Sequence, residues 1–134
     1  MPPLDDLSQL LSNMQPYLVE GEFVFCSLTP ADFDQFGNHA IATFRESEGI
    51  SAILPKQIAE GEGLECNFVA RMIGLGVYSD LDAVGFMGVI ASRLAQAGIS
   101  LNPVSAYYHD YLFVPAERAQ EAMEVLEQLA RDSA

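Results

Sequence analysis

Leu4, Leu7, Leu11 and Met14 recur at helical spacing, so the chain opens on a short amphipathic helix that must end before Pro16. From Tyr17 to Leu28 the pattern is extended, and Gly21 breaks it into two short strands. Thr29-Pro30-Ala31-Asp32 reads as a helix start, with Thr29 as N-cap, Pro30 at the first helical position and Asp32 at the third. Gly37-Asn38 is a turn signal that keeps this helix brief. Ala40 to Phe44 and Ile50 to Leu54 are apolar enough for two strands, joined by the polar stretch Arg45 to Gly49. Pro55 opens a second short helix and Gly61-Glu62-Gly63 closes it. Cys66 to Val77 alternates as the longest strand, with Phe68, Ala70 and Met72 against Val69, Arg71 and Ile73.

Ser79-Asp80-Leu81-Asp82 has the form of a capping box. It predicts a helix whose apolar face is Val84, Met87, Ile90, Ala91 and Leu94, with Gly85 in the first turn and Gly98 at the end. Ile99 to Tyr108 and Tyr111 to Val114 form a hairpin around His109-Asp110. Pro115 starts the last helix, whose buried stripe is Ala119, Ala122, Met123, Leu126 and Leu129. Glu117, Glu121, Glu124 and Glu127 lie off that stripe and form a solvated face.

The order strand, strand, proline, helix occurs twice, and Pro55 and Pro115 mark equivalent places in the two copies. Each copy reads β-α-β-β-α, the ferredoxin-like plan without its final strand. The fold class is therefore α+β: two ferredoxin-like (βαββαβ) halves, 1–65 and 66–134, with antiparallel sheets packed against helices. The Cys66–Val77 strand completes one half only. The other vacancy falls to the Tyr17–Glu20 segment or to a partner chain. A half of this size is only marginally stable alone on surface-to-volume grounds, so the halves are expected to share a core or to dimerise.

Charge narrows the function. Nineteen acidic residues against six basic ones give a formal charge of −13, and Lys and Arg sit singly at 45, 56, 71, 93, 118 and 131. Such a surface repels phosphate backbones and anionic headgroups, so neither nucleic acid nor membrane is an expected partner. No apolar run is long enough to span a bilayer, and the N-terminus lacks the pattern of a signal peptide. Cys26 and Cys66 lie in apolar runs without a CxxC spacing and are expected as buried free thiols in a reducing, cytoplasmic setting.

Three segments carry a resemblance: Phe44-Arg45-Glu46-Ser47-Glu48-Gly49-Ile50-Ser51, Val77-Tyr78-Ser79-Asp80-Leu81-Asp82-Ala83-Val84-Gly85, and the stretch from Ala106 through Tyr107-Tyr108-His109-Asp110 to Pro115. In order and spacing they resemble a bacterial family of tandem ACT-domain proteins, over roughly Gly21 to Leu129. That family is similar to the paired regulatory ACT modules of aspartate kinases and to eukaryotic arginine sensors. The resemblance implies amino-acid binding by a regulatory module, with the ligand met by the loop after the first strand and the start of the first helix. Here that is Ser79 to Gly85.

The residues support that place independently. A helix start presents unpaired N–H groups and a partial positive charge that suit a carboxylate, and Gly85 permits close approach. Val77, Tyr78, Ser79, Asp80, Leu81, Val84 and Gly85 are thus the first candidate ligand-binding set. Asp80 and Asp82 suit an ammonium and oppose a carboxylate. Glu46, Ser47 and Glu48 form a second candidate set, an acceptor cluster for an ammonium or a basic side chain, although a solvated loop is the simpler explanation of them.

Other chemistry fits less well. His109 has only His39 as a second imidazole, without metal-ligand spacing, and its turn is explained by Asp110 bonding its own backbone. Gly74-Leu75-Gly76 follows a strand, but Ser79 stands where a dinucleotide fingerprint needs glycine. The expectation is a regulatory module for a small molecule, probed first as an amino acid, with no cofactor, no metal and no catalysis, working as a homodimer. The alternatives are a ligand-free dimerisation or interaction protein, and a small enzyme using His109 beside Glu46 or Asp110.

Overall fold

The computed structural model describes residues 2–134. Its elements run α1 (Leu7–Asn13), β1 (Tyr17–Leu18), β2 (Phe23–Leu28), α2 (Pro30–Phe36), β3 (Ala42–Arg45), β4 (Ile50–Pro55), α3 (Lys56–Ala59), β5 (Glu65–Gly74), α4 (Phe86–Gln96), β6 (Asn102–Ser105), β7 (Asp110–Pro115) and α5 (Ala119–Asp132). Contacts divide the chain into two units. One is Glu20–Ala70; the other joins the chain up to Val19 with Arg71–Ala134.

In the Glu20–Ala70 unit the strands lie β3-β4-β2-β5, all antiparallel. This is the ferredoxin-like order, with the start of β5 as the fourth strand. Alternation puts Val24, Cys26 and Leu28 on one face, where they bury with Ala52, Leu54 and Phe36. The expected capping box forms: the Thr29 hydroxyl accepts the Asp32 N–H at 3.1 Å, and the Asp32 carboxylate accepts the Thr29 N–H at 3.4 Å. The register of β5 on β2 shifts between Phe23 and Phe25. There Phe68 takes φ +60°, its N–H donates to Asn67 Oδ1 at 2.9 Å, and its ring packs edge-on against Phe25.

The second unit repeats the plan as β6-β7-β5, with β1 antiparallel to β5 on the far side. The strand missing from this half is therefore Tyr17–Leu18 of the same chain. Val19 N–H donates to Met72 O at 2.9 Å, and Arg71 holds Val19 O through its guanidinium at 3.1 Å. A Cβ on Gly74 would collide with the Tyr17 ring, so glycine is what lets β1 lie there. Leu10, Leu11 and Met14 of α1 bury with Ile73, Leu75, Ile90, Leu94, Leu126 and Leu129. That burial is why residues 2–19, expected in the N-terminal half, group with Arg71–Ala134.

Several local expectations change. The long strand stops at Gly74, because Leu75 N–H turns to Asp110 O (3.1 Å) and Gly76 takes φ +70°. Ser79–Asp82 caps nothing: α4 begins seven residues later, with Gly85 as its N-cap at φ +92° instead of inside its first turn. Asp80 instead accepts the Asp82 N–H at 2.9 Å in a local turn. Val84, expected on the buried stripe, is 84% exposed. Cys26 is buried as expected, but Cys66 is exposed in the outermost strand of its unit. Among the described residues no helix is long and apolar enough to cross a membrane.

Candidate functional site

Ser79 and Asp110 are the buried polar side chains of the described chain, 7% and 5% exposed. The Ser79 hydroxyl donates to Asp110 Oδ2 at 2.5 Å, a short charge-assisted bond. Asp110 opens β7, directly opposite Ser105 on β6, and its carbonyl is the one that takes Leu75 N–H. The loop carrying Ser79 is strapped by the N-terminal segment: Leu4 N–H donates to Tyr78 O (2.9 Å), and Asp80 N–H donates to Leu4 O (2.8 Å). Ala83 N–H closes the loop on Asp80 O.

Above this pair lies a cleft of about 100 Å³, lined by Ser79, Asp80, Leu81, Ala83, Phe86, Met87, Ser105 and Asp110. Phe86 and Met87 are the first two residues of α4, and no side chain caps that helix. Its leading N–H groups and dipole therefore supply positive potential at one side of the cleft. Asp80 and Asp110 supply carboxylates. A site with donors on one side and carboxylates on the other is complementary to a small molecule bearing both an anionic and a cationic group.

Of the first candidate set, the structure brings Ser79, Asp80 and Leu81 into the cleft. Val77 is packed in the core, and Tyr78 turns its ring to Tyr108 at 5.5 Å and to His109 at 6.4 Å. Burial, then the neighbouring Tyr107, Tyr108 and Asp80, raise the Tyr78 phenol above its ordinary pKa. Val84 and Gly85 are exposed and lie outside the lining. Ser105, Phe86 and Met87 were not foreseen in this lining, Ala83 was expected only as part of the Ser79–Gly85 loop, and Asp110 only as a neighbour of His109; the one local signal for Asp110 was an acid placed directly before the apolar run Tyr111–Val114.

Glu46, Ser47 and Glu48 belong to the other unit and occupy the exposed turn between β3 and β4. Their acceptors are engaged within that turn. Glu46 and Gly49 exchange backbone hydrogen bonds at 3.0 and 3.3 Å, Ser51 donates to the Glu46 carboxylate, and Ser47 donates to Glu48 at 3.0 Å. The same unit has a wider, open cleft of about 580 Å³ beside Glu20, Glu22, Lys56 and Glu60. Its lysine is already paired with Glu22 at 3.2 Å and its acids face solvent, so size alone does not favour it. His109 is half-buried among Tyr78, Tyr108 and Tyr111 and is not part of either lining. No group of three or more potential metal ligands occurs among the described residues.

Known proteins share this architecture. Two ACT-domain family profiles match in tandem, at residues 2–71 and 67–128. A Vibrio cholerae protein of unknown function, described as a possible transport protein, is 41% identical over 92% of this chain and 95% of its own, with a TM-score of 0.83. A protein from Agrobacterium tumefaciens shares the fold at 14% identity (88% and 90% coverage, TM-score 0.68). So does the ligand-free regulatory subunit of aspartate kinase from Thermus thermophilus, at 14% identity (86% and 97%, TM-score 0.57). None of the curated proteins matches.

Proposed function

The chain belongs to the ACT-domain family, and from that premise we propose that it is a non-catalytic regulatory module whose Ser79–Asp110 cleft binds a free amino acid. The observation that carries this reading is the buried Ser79–Asp110 pair lying under an uncapped helix start. An α-carboxylate would sit at the amides of Phe86 and Met87. The α-ammonium would sit toward Asp80 and Asp110, whose charges are partly shielded from water and so act more strongly. The fold likeness to an aspartate kinase regulatory subunit agrees with such a role. Output would pass through a homodimer in the cytoplasm. A ligand that favours one assembly must bind that assembly more tightly.

The test is thermal unfolding of the whole protein with each of the twenty amino acids at millimolar concentration. A ligand at a hundred times its Kd stabilises by about 2.7 kcal/mol, and Ser79→Ala should lose most of that gain. Absence of stabilisation by every amino acid would overturn the reading.

A second reading draws on the rim. Leu81 and Val84 are 66% and 84% exposed beside a small cleft, which suits contact with another protein and no ligand. It predicts self-association, measured by sedimentation, that is weakened by Leu81→Ser and Val84→Ser and indifferent to amino acids.

A further inference from the structure

Cys26 on β2 and Cys66 on β5 are directly opposed across the antiparallel pair. The register is continuous on both sides of them, Phe25 against Asn67 and Ser27 against Glu65, so the two side chains leave the sheet on the same face. Opposed residues of such a ladder have Cα atoms about 4.5–5.5 Å apart, inside the span of about 4.4–6.8 Å that a disulfide bridges. The two thiols are both free, and they differ in access: Cys66 is exposed while Cys26 is buried among Val24, Leu28 and Leu54.

We propose that Cys26 and Cys66 are a reversible thiol–disulfide site whose co-reactant is a small-molecule disulfide of the glutathione class. Exposure assigns the order of events. The Cys66 thiolate attacks the small disulfide, forming a mixed disulfide and releasing one small thiol, which takes up the proton of Cys66. The Cys26 sulfur then attacks the Cys66 sulfur, displacing the second small thiol and passing its proton to it. Two protein thiols are oxidised and one small disulfide is reduced to two thiols. Burial, and then the adjacent Cys66, push the Cys26 thiol up to about 12, so Cys26 is a poor first nucleophile. Once Cys66 is a mixed disulfide it no longer has a thiol, so its share in holding the Cys26 thiol up is removed. Opposed strand residues hold their Cβ atoms about 4.5–5.5 Å apart, against the 3.5–4.5 Å of a relaxed disulfide. The bridge should therefore form under oxidising thiol balance and open readily again. It would fasten β2 to β5 beside the Phe68 bulge.

The experiment incubates the reduced, folded wild-type protein with oxidised glutathione, quenches with acid, and reads intact mass and non-reducing peptide maps. The expected product has lost two hydrogens, links the Cys26 and Cys66 peptides within one chain, and returns to starting mass with dithiothreitol. Cys26→Ser should stop at one glutathionyl adduct on Cys66, and Cys66→Ser should stay unmodified over the same time. Wild-type protein that ends with a stable adduct on Cys66, that links two chains, or whose thiols do not react while folded would overturn the proposal. The wild-type maps decide it by themselves if the Cys26 variant fails to fold.

Discussion

Ser79 shows how much one hydroxyl carries when its partner is a buried acid. In Ser79→Ala the Asp110 carboxylate loses the donor 2.5 Å away while staying out of water. Leaving such a group unsatisfied costs about 1–3 kcal/mol, so urea unfolding of Ser79→Ala should shift by that amount. Asp110→Asn, which keeps an acceptor for the hydroxyl, should cost less. Gly76→Ala should be worse than either. The residue sits at φ +70°, and an added Cβ would strike the carbonyl oxygen of Gln15, which is backbone and cannot move aside. A non-glycine residue in that region costs about 1–3 kcal/mol before any clash. Cys26 ties stability to pH. Its folded-state pKa lies above the ordinary thiol value, so the folded protein holds that proton longer than the unfolded chain. The associated stability is complete below about pH 8.5, and it is lost as pH rises toward about 12. Guanidinium unfolding across that window should show a steeper decline for wild type than for Cys26→Ala.

Among the elements, α1 and β1 act far from their neighbours in sequence. Together they close the β5 edge of the Arg71–Ala134 unit and cover its core with Leu10, Leu11 and Met14. Each such buried side chain contributes about 2–5 kcal/mol, and a domain's whole stability is about 5–15 kcal/mol. A chain beginning at Glu20 should therefore lose cooperative unfolding of this unit. Amide hydrogen exchange should show α4 and α5 unprotected while the β2–β4 ladder keeps more of its protection. The start of α4 offers a gentler test of the site. Gly85→Ala strains a left-handed N-cap without filling the cleft, since the residue lies outside the lining. It should lower the melting temperature yet preserve amino-acid stabilisation better than Ser79→Ala does.

For the whole molecule, charge dominates. At −13 with an isoelectric point near 4.2, the folded chain repels itself at neutral pH. Raising salt from low ionic strength to about 0.15 M shortens the screening length to about 8 Å. The melting temperature should rise over that range and solubility should fall as pH nears 4. A protein whose melting temperature falls on adding salt would contradict this.

The local rules visible in the sequence reached every element whose making is local. Thr29 and Asp32 cap the helix they begin because both partners lie within one turn, and Val24, Cys26 and Leu28 show their face through a two-residue period. The repeated plan, with Pro55 and Pro115 each leading from strand to helix, was legible for the same reason. What stayed hidden depended on partners distant along the chain. Ser79 looks like a cap until Asp110, 31 residues on, claims its hydroxyl. Tyr17–Leu18 has no local mark of the β5 edge it completes, and nothing beside Cys66 reveals that it is exposed while Cys26 opposite it is buried. Propensity, capping and periodicity act over a few residues and are written in them. Burial and strand pairing are satisfied by whichever distant groups the folded chain brings near, and only the tertiary structure names those.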